Sequence, residues 1–124
     1  MAYWRVYADS SGETHVGKLD LSFVPLAYAP PAPPFEATDF KPAGDYGLLR
    51  ILPGWFGDWH PVPSRQLQIF AQGHLEAQVS DGAVLRCESG TLVLVEDTAG
   101  KGHKSWVVGE EEVVIFVVRL PDPG

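Results

Sequence analysis

The chain has 124 residues and a formal net charge of −7 at pH 7. This length allows one domain with a substantial core and does not allow two. Hydrophobic residues make up 45% of the sequence and charged residues 20%, which excludes a wholly disordered chain. An acidic chain without a cluster of lysine and arginine repels a phosphate backbone, so the composition argues against nucleic acid as a partner.

Cysteine content and the N-terminal residues bear on the cellular compartment. Cys87 is the one cysteine of the chain, which excludes an intramolecular disulfide and a cysteine-based zinc site. Its apolar neighbours favour a small buried side chain over a nucleophile. The first fifteen residues lack a basic region followed by an apolar segment, and no apolar run approaches the roughly 20 residues that cross a bilayer. We therefore expect a cytoplasmic protein with no membrane contact.

The first 45 residues predict two strands and a proline-rich arm. Residues 3–7 are β-formers, and residues 18–24 alternate polar and apolar side chains as a half-buried strand does. Six prolines fall within residues 25–44, which excludes a helix and disfavours regular sheet hydrogen bonding. We predict an extended strap packed on the rest of the domain. Three aromatic anchors favour a strap over a flexible linker: Tyr28, Phe35 and Phe40.

From residue 46 onward, turn residues separate short apolar runs at intervals of roughly ten residues. The predicted strands cover residues 46–53, 65–72, 75–82, 83–90, 91–97, 103–109 and 110–120. A loop rich in glycine and tryptophan is predicted between the first two of them, at residues 54–64. Nine short strands in all indicate an all-β fold, an antiparallel jelly roll or small barrel. Residues 46–120 would form the barrel core of a single domain.

Two of the predicted strands are apolar on both faces. In the first of them, one face carries Gln66, Gln68 and Phe70, and the other carries Leu67, Ile69 and Ala71. The final strand shows the same pattern. A strand with water on its outer side would not be apolar on both faces, so a second sheet or another subunit must cover the face opposite the glutamines. We expect the second case, a homodimer.

Histidines and inward-facing amides are the candidate functional groups. Gln66 and Gln68 share a face, and buried amides need partners, which a metal ion or polar ligand would supply. His60 and His103 carry the side chain that most often binds metals or transfers protons near neutral pH. The aromatic residues of the 54–64 loop, among them Trp59, would either plug one end of the barrel or line an entrance for apolar or aromatic ligands.

The spacing of these residues resembles the cupin superfamily, in particular its small single-domain members. The first cupin motif reads His-x-His, three or four residues, Glu or Gln, six residues, and Gly. His60 matches its first histidine, Gln66 and Gly73 match its end, and Val62 stands at the second histidine. A second motif, a Gly-rich turn and a third histidine, is matched by "ESGTLVLVEDTAGKGH", which ends at His103. The resemblance covers roughly residues 46–120.

The resemblance implies a metal site and a pocket inside the barrel. The implied metal ligands are His60, Gln66 and His103, which suit Fe, Mn, Ni or Zn, and no organic cofactor is implied. Asp97 would supply the missing ligand or act as a catalytic proton-transfer group. The substrate pocket would be lined by Gln68, Phe70, Trp59 and Ser105.

Two functions from different classes are compatible with this sequence. The first is a divalent-metal-dependent enzyme that acts on a small organic molecule in the barrel, as the oxygenases, isomerases and lyases of related families do. The second is a non-catalytic cupin that has lost metal chemistry and binds a small ligand, such as a sugar or an aromatic compound. Val62 is the residue that separates the two, because it removes one imidazole from the ligand set.

Overall fold

The computed structural model describes residues 2–123, and in that range it contains twelve β-strands and no helix. The strands are β1 (Ala2–Ala8), β2 (Thr14–Lys18), β3 (Val24–Leu26), β4 (Phe35–Ala37), β5 (Tyr46–Ile51), β6 (Phe56–His60), β7 (Gln66–Gln72), β8 (His74–Val79), β9 (Val84–Glu88), β10 (Thr91–Val95), β11 (His103–Val107) and β12 (Val113–Arg119). The all-β prediction is thus confirmed. Nothing among these residues has the helical length and apolarity needed to span a lipid bilayer.

Two sheets form the body of the fold. The larger has the strand order β2-β1-β10-β7-β12-β5, and the smaller has the order β6-β11-β8-β9. Neighbouring strands are antiparallel except for the β1–β10 pair, which is parallel. Consecutive strands β5 and β6 therefore lie in different sheets, and so do β10 and β11. This crossing between two sheets is the jelly-roll arrangement that the sequence predicts.

The core lies between the two sheets and follows the alternation of each strand. In β12, Val113, Ile115 and Val117 are buried, whereas the residues between them are only partly buried. In β7, Gln66 and Phe70 point inward. The observation for β7 agrees with its predicted inward face, and that for β12 shows which of its two apolar faces is the inner one. Each fully buried aliphatic or aromatic side chain contributes about 1.5–3 kcal/mol. The remaining buried apolar residues come from both sheets and, for Val62, from the β6–β7 connection: Val6, Val62, Leu75, Val79, Leu85, Cys87, Val93 and Val95.

The structure differs from the sequence prediction in the glycine- and tryptophan-rich loop. Residues 56–60 form β6, which pairs with β11 so that Phe56 faces Trp106 and His60 faces His103. Bulky aromatic residues favour strands, but this segment contains no simple alternation that would reveal one. Its strand conformation depends on β11, which is more than forty residues away in sequence.

The N-terminal region also differs in detail. β2 begins at Thr14, whereas the sequence predicts a strand from Lys18. The reason is its antiparallel pairing with β1, in which Thr14 lies opposite Ala8 and Lys18 lies opposite Trp4. Residues 19–23 then leave the sheet, and the proline-rich segment carries the short hairpin β3–β4. Most side chains of this hairpin are exposed. That the segment packs as a strap on the barrel stays a prediction.

His15 connects the turn after β1 to the turn between β8 and β9 by two side-chain hydrogen bonds. Its Nε2 lies 2.7 Å from Oδ2 of Asp9, and its Nδ1 lies 2.8 Å from Oδ2 of Asp81. A ring that donates to two carboxylates is favoured in its charged form. The hydrogen bond to Asp9 and then that to Asp81 raise the pKa of His15 above its ordinary value of 6.5.

We expect this contact to make stability depend on pH above neutrality. Because the pKa of His15 is raised by folding, its contribution is complete below pH 6.5 and is lost as the pH rises through the raised value. His15→Ala should therefore lower the urea midpoint more at about pH 6 than at about pH 9. In an Asp9→Asn, Asp81→Asn background the same substitution should show no such difference. An equal effect at both pH values in the wild-type background would contradict this interpretation.

Candidate functional site

A cavity of about 600 Å³ opens between the two sheets. Its inner wall is apolar and is built from core residues such as Phe70, Leu75 and Ile115. Its polar groups are concentrated at one end, where β6, β7 and β11 contribute His60, Gln66, Gln68, His103 and Ser105. A mostly apolar cavity with a few convergent polar groups is the usual form of a small-molecule site.

His60 and His103 come together because β6 and β11 pair at their ends. The two residues are register partners, and their ring centres are 4.9 Å apart at an interplanar angle of 54°. Gly102 makes this approach possible. A Cβ at that position would lie 2.3 Å from the backbone carbonyl of His60, and its φ of +72° is one that glycine adopts without strain.

Each histidine uses its Nδ1 atom in a fixed hydrogen bond. Nδ1 of His60 donates to the backbone carbonyl of Asp58 at 2.6 Å, and Nδ1 of His103 donates to Oδ2 of Asp97 at 2.6 Å. In a neutral ring whose Nδ1 carries the proton, Nε2 has a free lone pair. The same arrangement, one nitrogen held by an acceptor and the other free, fixes the orientation of metal-binding and proton-transferring histidines.

Asp97 lies behind His103 and not on the cavity wall. Its side chain is wholly buried, and its Oδ1 atom has no hydrogen-bond partner among the residues described. Its own backbone carbonyl accepts the N–H of Val62 at 3.1 Å, which ties the start of the β6–β7 connection to the end of β10. Asp97 therefore contacts Nδ1 of His103, on the side of the ring away from Nε2. This position suits a residue that orients His103, and not an additional metal ligand.

The glutamines form a chain of hydrogen bonds at the same end of the cavity. Nε2 of Gln68 donates to Oε1 of Gln66 at 3.0 Å, and Nε2 of Gln66 donates to the backbone carbonyl of Ser64 at 3.2 Å. Gln66 is buried, so these contacts satisfy an amide that would otherwise be costly to bury. The carbonyl oxygen of Gln66 retains a second lone pair for a ligand.

Of the four pocket residues expected from the sequence, Gln68, Phe70 and Ser105 line the cavity and Trp59 does not. Trp59 lies outside the cavity beneath Lys104, whose Nζ is 5.2 Å from the ring centre. Because His60 faces inward, the strand alternation turns its neighbour outward. Trp55 lines the cavity instead, with its indole packed against Gly57. Simple alternation from His60 would place Trp55, which precedes β6, on the same side as Trp59; the irregular pairing of β6 with β11 between His60 and Gly57 breaks that alternation.

Cys87 also lines the cavity and was not singled out as a pocket residue from the sequence. Burial raises the pKa of its thiol to about 12. The thiolate, which is the nucleophilic form, is therefore negligibly populated at neutral pH. This agrees with the interpretation of Cys87 as a small buried hydrophobic residue.

The separation of the two imidazoles is compatible with one divalent metal ion between them. Two imidazoles that share one ion at about 2.1 Å have ring centres about 5 Å apart, close to the separation of His60 and His103. Gln66 offers an amide oxygen, whereas Val62, at the position of a further histidine, is buried and offers no donor. Within residues 2–123 there is no group of three or more His, Cys, Asp or Glu side chains placed to hold a metal. The ligand set is therefore neutral and small, which favours weak binding.

Solved structures that are similar to this chain include the following two. The cupin domain of Cnp3 from Schizosaccharomyces pombe superimposes with a TM-score of 0.54 and 18% identity, over 89% of this chain and 72% of that one. A Salmonella typhimurium protein described as ethanolamine utilization protein Q gives a TM-score of 0.44 and 12% identity, over 99% and 98% of the two chains. No protein-family model and no curated protein sequence matches the chain.

The fold of this chain is therefore that of a cupin domain. The jelly roll, the inward-facing residues of β7 and the histidine at the start of β11 agree with the resemblance that the sequence shows. At an identity of 18% the likeness shows the fold alone. Function has to be argued from the cavity and its side chains.

The contact between Asp97 and His103 predicts the tautomer of His103. We expect nitrogen-15 NMR to find the proton of the neutral ring on Nδ1. Asp97→Asn can donate its amide to Nδ1 instead, which would move the proton to Nε2, as is known for the corresponding change in a Ser-His-Asp triad. Far-UV circular dichroism would show whether the variant keeps its sheets. An unchanged tautomer in a folded variant would mean that Asp97 does not orient the ring.

Proposed function

We propose that this protein is a small cupin enzyme that binds a small organic molecule in the barrel and acts on it with His103 and His60. The observation that carries the proposal is the buried carboxylate of Asp97 behind a histidine that faces a cavity. A buried carboxylate has a high desolvation cost, which a structural role alone would avoid with an apolar residue. Paired with an imidazole at a cavity, it is the arrangement of a proton-transfer site.

The polar end of the cavity supports a division of roles. Nε2 of His103 would accept a proton from the bound molecule, while Asp97 fixes the ring and lies beside the positive charge that the ring then carries. Asp97 acts through His103 and is therefore a positioning residue. Gln66, Gln68 and Ser105 would orient the polar part of the substrate by hydrogen bonds. Proton transfer of this kind belongs to isomerase and lyase reactions.

The cavity wall indicates the class of substrate. Among the described residues that line it, the carboxylate of Asp45 and the guanidinium of Arg119 are the charged groups, and these two are exposed and pair with each other. Within the described lining there is no other lysine or arginine to bind a phosphate or carboxylate group. We therefore propose a substrate without strong charge, with its polar atoms at the histidines and an apolar part against Phe70 and Ile115.

A divalent ion is the cofactor that this site would hold. Nε2 of His60, Nε2 of His103 and Oε1 of Gln66 are the donor atoms, and Fe, Mn, Ni or Zn are the candidates. When bound, such an ion supplies Lewis-acid or oxygen-activating chemistry. Because the Nε2 lone pair of His103 would then coordinate the ion, proton acceptance by His103 belongs to the site without a metal, whereas Asp97 orients the ring in both cases.

A second candidate function is a cupin that binds a small ligand without chemistry. The observation in its favour is Val62, which is buried in the core at the place of the second histidine of the family motif. A site with one imidazole fewer can retain ligand binding after metal chemistry is lost. An enzyme and a binding protein of this fold are therefore expected to differ first in their affinity for a divalent metal ion.

Metal binding is the experiment that separates these candidates. We expect isothermal titration with Mn²⁺, Ni²⁺ or Zn²⁺ to show one weak site per chain, which His103→Ala removes. His74→Ala is the matched control, because His74 is a partly exposed histidine that does not line the cavity. Val62→His adds a third imidazole and should tighten binding at least about tenfold.

Three outcomes bear on the proposal. Weak metal binding by the wild-type chain that His103→Ala removes, His74→Ala leaves unchanged and Val62→His tightens supports a metal-holding enzyme. No binding by the wild-type chain together with tight binding by Val62→His supports the binding protein that has lost its metal. If neither protein binds a metal and His103→Ala does not change the binding of any ligand found in a small-molecule screen, the two histidines are not the functional groups.

A further inference from the structure

The outer face of the smaller sheet carries an aromatic strip, which consists of Phe56, Trp59 and Trp106. Phe56 and Trp106 are register partners on β6 and β11, and their rings are stacked at an interplanar angle of 21° with 6.5 Å between their centres. Trp106 faces outward because its neighbour Ser105 lines the cavity. Phe56 is 56% exposed and Trp59 is 44% exposed. The strip therefore presents ring surfaces to solvent on the side of the sheet opposite the cavity.

Hydrogen-bonding side chains lie next to the aromatic strip on the neighbouring strand. β8 pairs with β11 so that Glu76 lies opposite Trp106 and Gln78 lies opposite Lys104. Ala77, between the two β8 residues, lines the cavity, so the strand alternation turns Glu76 and Gln78 outward. This face of the sheet thus combines surfaces for stacking with amide, carboxylate and ammonium groups.

The exposed area of the aromatic strip is small for a protein partner. An aromatic side chain has roughly 150–250 Å² of surface, so Phe56 and Trp59 each expose roughly 100 Å², and the three rings together expose on the order of 300 Å². A stable protein complex buries about 800 Å² on each partner. The strip therefore fits a small molecule or a short extended polymer better than a second protein.

The charges of the smaller sheet favour a neutral ligand. Its strands contain the cations Lys104 and Arg86 and the carboxylates of Asp58, Glu76 and Glu88, so the two signs nearly balance. Glu76 and Arg86 also lie within 3.5 Å of each other. Two cations are few for a nucleic acid, whose affinity comes mainly from phosphate contacts. A lipid chain would cover the polar side chains without offering them hydrogen bonds.

We propose that the aromatic strip binds a neutral oligosaccharide. One face of a sugar ring is made of C–H groups, which stack on the electron-rich face of an aromatic ring. The hydroxyl groups at the edge of the sugar both donate and accept hydrogen bonds, as the amide of Gln78 does, and they can also donate to the carboxylate of Glu76. A polyhydroxyl ligand therefore uses both kinds of group on this face.

The spacing of the rings indicates the length of the ligand. Phe56 and Trp59 are three residues apart on β6, which corresponds to roughly 10 Å along a strand. This span is longer than one sugar ring, so an oligosaccharide contacts the whole strip and a monosaccharide does not. The site uses neither histidine of the cavity, so its test is independent of the proposed enzyme activity.

Nitrogen-15 NMR of the indole N–H groups tests this site, because the four tryptophans of the chain lie in different places. The probes are cellohexaose, xylohexaose, mannohexaose, maltohexaose and N-acetylchitohexaose. We expect at least one of them to bind with a Kd on the order of 1 mM or below and to shift the signals of Trp59 and Trp106. The signals of Trp55, which lines the cavity, and of Trp4 on β1 should stay unchanged.

Phe56→Ala removes one stacking surface and should weaken this binding about tenfold. Because Phe56 is exposed, we expect the variant to keep its sheets by circular dichroism. If it fails to fold, Trp59→Ala takes its place with the same expected effect. Phe40→Ala is the matched control, since Phe40 is an exposed phenylalanine outside the smaller sheet, and it should leave the affinity unchanged.

Three results would overturn the proposal. The first is that none of the five probes binds at about 10 mM. The second is a shift of the Trp55 signal in place of those of Trp59 and Trp106, because the sugar would then lie in the cavity. The third is an equal loss of affinity in Phe40→Ala and Phe56→Ala, because the effect would then not belong to the aromatic strip.

Discussion

The wholly buried carboxylate of Asp97 constrains the polar end of this cupin barrel. Removing a carboxylate from water costs several kcal/mol, and only well-placed donors can offset that cost. Asp97 has one such donor, Nδ1 of His103, and its second oxygen has no partner among the described residues. The backbone of Asp97 in turn accepts the N–H of Val62, which anchors the segment that follows His60. The position of both histidines thus depends on the loop that buries this carboxylate.

Each of the two sheets contributes a different set of side chains to the site. The smaller sheet carries both histidines and Ser105, and the larger sheet carries the two glutamines on the opposite wall. Because His60 and His103 are register partners at the ends of β6 and β11, the two imidazoles lie together, while the rest of the cavity lining is mostly apolar. A molecule bound there would contact polar groups on one side and an apolar wall on the other. This gradient favours substrates that have both a polar and an apolar part.

Sequence and structure agree best where the pattern is local. The alternation in β7 and β12 follows from the period of two of a strand, and it correctly placed Gln66, Gln68 and Phe70 on the inner face. β6 was missed because its glycine and adjacent aromatic residues obscure any alternation. Trp59 was therefore assigned to the pocket, and Trp55, which lines the cavity, was not. A strand whose conformation is set by a distant partner cannot be recognised from its own residues.

The sequence by itself determined the all-β class and the inward face of β7, because these depend on local periodicity. The candidate residues His60, Gln66, Asp97 and His103 came from the resemblance of two short motifs to the cupin superfamily. Only the tertiary structure decided how those residues meet. It put the two imidazoles 4.9 Å apart, Asp97 behind one of them and Val62 in the core. It also left β5 at an open edge with its apolar residues exposed. These outcomes depend on which strands pair across long separations in the chain, and that pairing is set by the packing of the whole fold.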